Sequence, residues 1–589
     1  MARSATLIRS ATAVALAAVV AASAGCTAGK DDPLAGTDLA SAPRDGVRDG
    51  GTLRWAVDGA PGTLNAFQAG ANETTSLVAG ATLPAAFRLD GQGRPQLDTD
   101  LLRSAKVVRT EPQQVVSYQL NPKAVWSDGR AIGAADFTAQ WKALRGADDA
   151  YWTARNAGYD RISSVTAGKD AHEVKVTFKK RYADWQSLFT PLYPKTVTGT
   201  AKAFNEGARR ALKVSGGPFS VRSASDKSVT LVRNTKWWGD RAKLSQLVLT
   251  ATPAHRRAAD LASGALDVAE VDRDVSGKNV TVYRTRAASY TQLALNGSTG
   301  PLADEEVRHA VARAVDRRAI AKAVLGPLGL PDEPLGNHLL LLTQSGYADH
   351  SSALGTSDTK AARAMLAAAG WQRTALDPRS GAAAGSGAGA GAAERNQAAP
   401  AHKVEVSVVE PAKTVLRKDG KALTLRFVLP KSSATLNAVG DRIATMLSGI
   451  GVRTELQRVA DDSFFRDHVA AGDFDLALYG WPGTPFPATD TRPIFAKPEP
   501  APDGSLVVEQ NYPRVGTDLI NQLFDQAAGE LDPAKARDYA ARADARIWSA
   551  AGSIPLYQRP ELVALRKDVL NAGAFGFATP RFQDIGFRK

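Results

Sequence analysis

The sequence predicts two α/β lobes, and three observations carry that prediction. Its 589 residues exceed the size at which a single hydrophobic core usually stops growing, so more than one compact unit is expected. Short runs of alternating apolar residues interleave with longer runs of helical spacing, the mark of mixed α/β structure. Residues 423–429, 436–447 and 451–456 then spell strand, amphipathic helix and strand, for which a parallel pair with a right-handed crossover is the economical fold.

Taken in order, the chain opens on Arg3 and Arg9, a basic stretch before an apolar run over 11–22 that stops at Ser23-Ala24-Gly25-Cys26. This is the layout of a secretory signal ending in a small-residue processing site, and the run is too short to span a bilayer. Cys26 is the only cysteine, so the mature chain stands on its cores without an internal disulfide. Residues 27–49 are rich in Gly, Ala, Asp and Pro without helical or strand period and read as a flexible tether. Strands are expected over 53–57, 115–120, 174–178, 229–232 and 244–249, where apolar residues alternate between turn residues. A helix is expected from Asp304, placed to cap it, with acids in its first turn and Val307, Ala310, Val311, Ala314 and Val315 on one face. Residues 377–403, rich in Ala and Gly and poor in large apolar side chains, read as a disordered insertion.

Composition narrows the function. Apolar residues make up 44% and charged residues 23%, ordinary for a soluble globular protein. The net charge of +13 raises the question of an anionic partner. Lys and Arg are scattered, however, and often adjoin acids, as in Asp316-Arg317-Arg318 and Arg537-Asp538, so no nucleic-acid partner is expected. An enzyme is not expected either. The seven histidines show no local metal-ligand spacing, and no nucleophile-elbow, phosphate-loop or dinucleotide-binding motif occurs. The neighbours Asp148-Asp149 and Asp461-Asp462 read as solvated turns rather than acid/base couples. Neither a cofactor nor a metal is expected.

Five stretches carry a family resemblance. Gly50-Gly51-Thr52-Leu53-Arg54-Trp55-Ala56 with Pro61-Gly62-Thr63-Leu64-Asn65 resembles the opening of the family 5 extracytoplasmic solute-binding proteins, the oligopeptide and dipeptide receptors of ABC importers. The most specific match runs from Ala124-Val125-Trp126-Ser127-Asp128-Gly129 to Asp136-Phe137, where a strand ends in Trp, an Asp-Gly pair turns, and a helix begins. The helix over 307–320, the strand Gly472-Asp473-Phe474-Asp475-Leu476-Ala477-Leu478-Tyr479-Gly480-Trp481 and the return Ile554-Pro555-Leu556-Tyr557 follow in the family's order. The N-terminus is similar to the bacterial lipobox, with Ser23 where that pattern usually has Leu.

The resemblance implies a two-lobed periplasmic-binding-protein type II fold with a hinge and an extra subdomain in lobe I. It would comprise a signal peptide (1–25), a lipid-anchored tether (26–49), lobe I (50–290), lobe II (291–552) and a return to lobe I (553–589). Its implied place is the outer face of the cytoplasmic membrane, held through a lipid on Cys26. Its implied partners are a peptide or related solute and an ABC permease and ATPase complex, and a monomer is expected. Tyr479, Gly480 and Trp481 are the residues expected against the ligand, while Trp126 and Asp128 read as scaffolding. In the peptide receptors the residue three places after this tryptophan is typically an Asp that pairs with the peptide's α-amino group; here it is Thr484, which cannot neutralise an ammonium. Asp490 is the candidate substitute, on a loop stiffened by Pro482, Pro485 and Pro487. A second reading stays open, because some actinobacterial lipoproteins that resemble this family regulate cell-envelope glycolipid synthesis through protein contacts.

Overall fold

The structure is a computed structural model that describes residues 36–154, 156–275, 277–375, 404–411, 414–501 and 506–589. The signal peptide, Cys26 and the 377–403 insertion lie outside the described residues. The second half of the expected tether does not, and it is not free. Asp38–Leu39 pairs antiparallel with Gly573–Ala574, Val47 is fully buried, and Arg44 donates to the carbonyls of Arg241 at 2.7 Å and Gln583 at 3.1 Å. Composition misled here because pairing through main-chain groups to a distant strand needs no apolar period.

An eleven-stranded mixed sheet runs through the molecule. In the first lobe, β1 (Thr52–Val57) leads to α1 (Glu73–Thr82), whose first turn is capped by Asn72 Oδ1 accepting from Thr75 N at 3.0 Å. β2 (Gln246–Ala251), α2 (Ala254–Ala262) and β3 (Val268–Glu270) follow, and both strands lie parallel to β1, one on each side. β4 (Val280–Leu295) then carries the chain into the second lobe. There β5 (Thr424–Pro430), α3 (Ala434–Gly449) and β6 (Arg453–Val459) form the expected parallel strand–helix–strand unit. β7 (Leu476–Pro482) runs parallel to β5 and antiparallel to β4. After α4 (Pro533–Ala550), β8 (Ser553–Arg566) pairs with β4 and then with β3, returning the chain to the first lobe.

Each lobe has its own core. Leu53, Trp126, Phe137, Phe189 and Leu249 belong to the first, and Leu293, Phe427, Ile443, Leu478 and Trp548 to the second. A separate antiparallel sheet of Leu102–Arg109, Val115–Leu120, Glu173–Phe178 and Ile162–Ala167 packs on the first core with the helix Ala134–Leu144. This is the subdomain expected in lobe I. The Trp126-to-Phe137 motif is its joint: Trp126 and Asp136 are fully buried. Asp136 accepts from Trp126 Nε1 at 3.1 Å, from both terminal nitrogens of Arg130 at 2.9 Å, and from the backbone N–H of Lys195 at 2.9 Å. Asp128 accepts from Arg130 N at 3.0 Å and shapes the turn. These residues hold structure together, as the sequence suggested.

The chain passes between the two cores along β4 and β8, and their ladder breaks where it crosses. Tyr290 faces Gln558 and Arg286 faces Pro560, so residues 287–289 stand opposite Arg559 alone. The carbonyls freed by this bulge are taken up sideways, Ala287 O by Gln558 Nε2 at 2.8 Å and Ala288 O by Gly483 N at 2.8 Å. A bulge interrupts the stiffest part of a sheet and bends it. The lobes also touch away from the crossing, where Ala183 N donates to Ala528 O at 2.8 Å.

Candidate functional site

In open α/β sheets, ligands gather at the carboxyl ends of parallel strands, because side chains and loops there converge without blocking one another. In the first lobe those ends carry acids. Asp58 follows β1, Glu270 closes β3, Glu73 opens α1, and Glu561 on β8 lies within electrostatic reach of Glu270 and Glu73. Glu73 and Glu270 are open to solvent. Even so, crowding by the surrounding protein strips enough water to push both carboxyls up, Glu270 to about 7, with mutual repulsion adding to the effect. Burial likewise pushes half-buried Glu561 up to about 7, although it accepts from the N–H groups of Phe575 at 3.0 Å and Gly576 at 2.9 Å.

Two arginines temper this wall. Arg257 forms an ion pair with Asp58 and donates to the carbonyls of Thr252 at 2.9 Å and Glu270 at 3.1 Å. Arg559, at the bulge, reaches the other lobe: a Cβ on Gly480 would lie 3.7 Å from its Cδ. The same Cβ would sit 2.7 Å from Tyr290 O, so only glycine allows the backbone this close. Among the described residues no group of three or more His, Cys, Asp or Glu is arranged to hold a metal ion.

The second lobe presents the end of β7. Its pairing with β5 covers only Leu476 and Ala477, whereas its pairing with β4 continues to Pro482. From Leu478 to Pro482, therefore, one edge of β7 has no strand partner among the described residues, and such an edge is a ready template for an extended chain. Side-chain alternation along the strand separates the expected ligand residues. Gly480 faces Arg559, while Tyr479 and Trp481 turn into an aromatic cluster with Tyr512 and Phe465. Trp481 stacks on Tyr512 with ring centroids 5.9 Å apart and planes 5° from parallel, and its buried Nε1 has no hydrogen-bond partner among the described residues. Tyr479 is only 5% exposed, and burial pushes its phenol up. It is placed as the floor beneath Trp481.

Beyond β7 the chain turns through Thr484, which is 8% exposed. Its hydroxyl donates to the carboxylate of Asp490 and accepts from Phe486 N at 2.9 Å. Asp490 is thus hydrogen-bonded to the residue at the position where the resemblance calls for Asp. Thr489 reaches across to the first lobe and donates to Asp184 Oδ2 at 2.7 Å. Burial, with repulsion from Asp490, pushes Asp184 up to about 6.

The structure therefore brings Gly480, Trp481, Thr484 and Asp490 to the junction of the lobes and holds Tyr479 behind them. The sequence reading missed Asp58, Glu73, Glu270, Glu561, Arg559 and Asp184. An acid closing or following a short apolar strand, as in Ala269-Glu270 and Val57-Asp58, was the signal available. A further groove of about 610 Å³ is lined by Arg492, Asp518 and Asp525 of the second lobe.

Two lobes joined by a pair of bulged strands, with carboxylates gathered at the strand ends of the first, define a hinged binding protein of the type II class. The chain belongs to the bacterial extracellular solute-binding proteins, family 5, whose middle region matches residues 104–502. It is similar to the oligopeptide-binding protein OppA of Mycobacterium tuberculosis, with 33% identity over 557 residues covering 92% of this chain and 86% of the relative. It is also similar to the probable monoacyl phosphatidylinositol tetramannoside-binding protein LpqW of that organism, with 24% identity over 96% of this chain and 94% of the relative. Among solved structures, the periplasmic EDTA-binding protein EppA superposes with a TM-score of 0.79 at 23% identity, over 96% of this chain and all of that one. The oligopeptide-binding protein AppA from Bacillus subtilis, in complex with a nonapeptide, gives 0.70 at 18% identity over 92% of this chain and all of that one.

Proposed function

We propose that this protein is the lipid-anchored solute-binding component of an ABC importer and that it takes short peptides, or a related solute carrying positive charge, between its lobes. In this reading residues 1–25 are removed, Cys26 carries the lipid, and the protein works as a monomer on the outer face of the cytoplasmic membrane. Lobe I (50–290 and 553–589) closes on lobe II (291–552) by bending at the β4–β8 bulge, and the closed form engages the permease and ATPase.

The observation that carries the reading is the open edge of β7 beside Arg559 and the carboxylate wall. An extended peptide can add main-chain hydrogen bonds along residues 478–482, the mode that serves many sequences because side chains need only room. Trp481 offers an aromatic face, and Asp490, oriented by Thr484, supplies the charge that Thr484 lacks. Asp58, Glu73, Glu270 and Glu561 give the strand ends of the first lobe a negative field that favours cationic ligands.

Native mass spectrometry of the mature protein, followed by calorimetry with trilysine and triglutamate, tests this. Co-purified peptides are expected, with trilysine preferred by at least roughly tenfold, about 1.4 kcal/mol. Equal affinity, or none for either, would overturn the reading.

A second reading is a non-transport lipoprotein that regulates cell-envelope glycolipid synthesis through protein contacts; the similarity to LpqW, whose name gives it a phosphatidylinositol mannoside to bind, supports only the link to such lipids. An empty cleft indifferent to peptides would favour it.

A further inference from the structure

The segment from Leu330 to His350 has no strand and no α-helix, yet it supports the ligand loop. Gln344 Nε2 donates to Thr484 O at 2.9 Å, and Thr343 Oγ1 accepts from Gln558 Nε2 at 3.0 Å beside the bulge. Leu341 packs so closely on Gly483 that a Cβ there would lie 2.6 Å from its Cδ1. A segment without regular structure needs another source of rigidity, and here it is a buried charged cluster.

Asp544 on α4 is fully buried and accepts three hydrogen bonds. His338 N and His338 Nδ1 both donate to Oδ1 at 2.8 Å, and His350 Nδ1 donates to Oδ2 at 2.7 Å. The other ring nitrogen of His338, Nε2, lies 2.9 Å from Ser553 O at the start of β8. Both ring contacts of His338 are therefore acceptors. A neutral imidazole has one N–H and would turn a lone pair toward one of them, so satisfying both takes a proton on each nitrogen. The ring is enclosed by Trp548 at 4.6 Å and Phe495 at 5.3 Å between centroids, which leaves the Asp544 carboxylate as its counter-charge.

We propose that Asp544, His338 and His350 form a proton-dependent anchor that positions the 483–490 loop through the 330–350 segment. The link to ligand binding rests on the functional reading above; the anchor itself does not. Burial pushes Asp544 up, but the hydrogen bonds from His338 and His350 outweigh it and hold the carboxyl below the usual range. The hydrogen bond to Asp544 raises His350 despite its partial burial, and Asp349 adds to the effect. The other groups facing the cluster do not compete in the neutral range. Burial pushes the Tyr347 phenol up to about 12 and the Tyr290 phenol well above its ordinary range. Arg317 lies over the Trp548 ring at 4.6 Å and donates to Leu335 O at 2.7 Å. An imidazole raised in the folded state stabilises it fully below its unfolded value and ceases to do so as pH rises through the folded one. The anchor thus holds under acidic to neutral conditions and slackens on the alkaline side.

The test uses the mature protein without ligand. In ¹⁵N-histidine spectra at pH 6, His338 is expected to show protons on both ring nitrogens, and a neutral tautomer would overturn the proposal. Amide hydrogen exchange over 483–490, corrected for intrinsic rates, is expected to accelerate roughly tenfold from pH 6 to 8.5 in the wild type. His350→Gln, which keeps a donor but cannot titrate, should flatten this rise even if Asp544→Asn fails to fold; parallel profiles would refute the anchor. Trilysine binding measured on the same samples judges the functional reading separately, since the exchange result stands whether or not trilysine binds.

Discussion

Replacing Asp184 with Asn isolates the charge that lobe contact traps. Asp184 belongs to the first lobe and receives the Thr489 hydroxyl of the second at 2.7 Å. Burial there, with repulsion from Asp490, pushes its carboxyl from an ordinary 3.8 to about 6. A raised carboxyl binds its proton more tightly when the lobes touch than when it is wetted. Closure is therefore fully favoured below 3.8, loses ground as pH rises to about 6, and is constant above. At about 1.4 kcal/mol per pH unit, that interval corresponds to about 3 kcal/mol, trimmed toward about 2 kcal/mol by water reaching the half-buried group. Asn keeps the acceptor for Thr489 and removes the ionisation. A fluorophore pair, one on each lobe, read between pH 4 and 7.5 should show the wild-type closing equilibrium falling by roughly 10- to 60-fold relative to Asp184→Asn, since part of the interval lies below pH 4. Profiles that run parallel would refute the reasoning, because other carboxylates titrate in both proteins and cancel in the comparison.

Three further outcomes are expected. Asp136→Ala strips the acceptor from Trp126, Arg130 and Lys195 N and should cost about 3–5 kcal/mol in denaturant unfolding. Glu270→Gln should weaken trilysine binding by about 1 kcal/mol, roughly fivefold, at pH 8. That deficit should shrink by pH 6, because the wild-type carboxyl, raised to about 7, is then largely protonated; a constant ratio across this range would count against Glu270 facing the ligand. Cys26→Ser should release the protein into the medium, and fractionation that still finds it on the membrane would refute the lipid assignment.

Physical range decides what could be read from the sequence. The strand–helix–strand unit of the second lobe was legible because its signal is local: β5, α3 and β6 each carry their own period, and the crossover rule joins them. The Trp126-to-Asp136 joint was legible as scaffold because turn and helix start lie within a dozen residues. Tyr479 and Trp481 lie together on β7, the strand that the pattern predicts, but which face each takes depends on Phe465 and Tyr512 arriving from elsewhere. The carboxylate wall was legible only as single acids at strand ends, such as Asp58 after Val57; that they meet was not. Asp58, Glu73, Glu270 and Glu561 sit on four elements spread over most of the chain, and they meet only because β3 pairs with β8 and lies parallel to β1. The same holds for Asp544 and its two histidines, which lie 206 and 194 residues from it in sequence. In a fold whose chain crosses between lobes twice, the groups that set the cleft's charge and rigidity come from both ends of the sequence. A family motif can therefore mark a strand such as β7 while saying nothing of the charged groups on the strands that pack beside it.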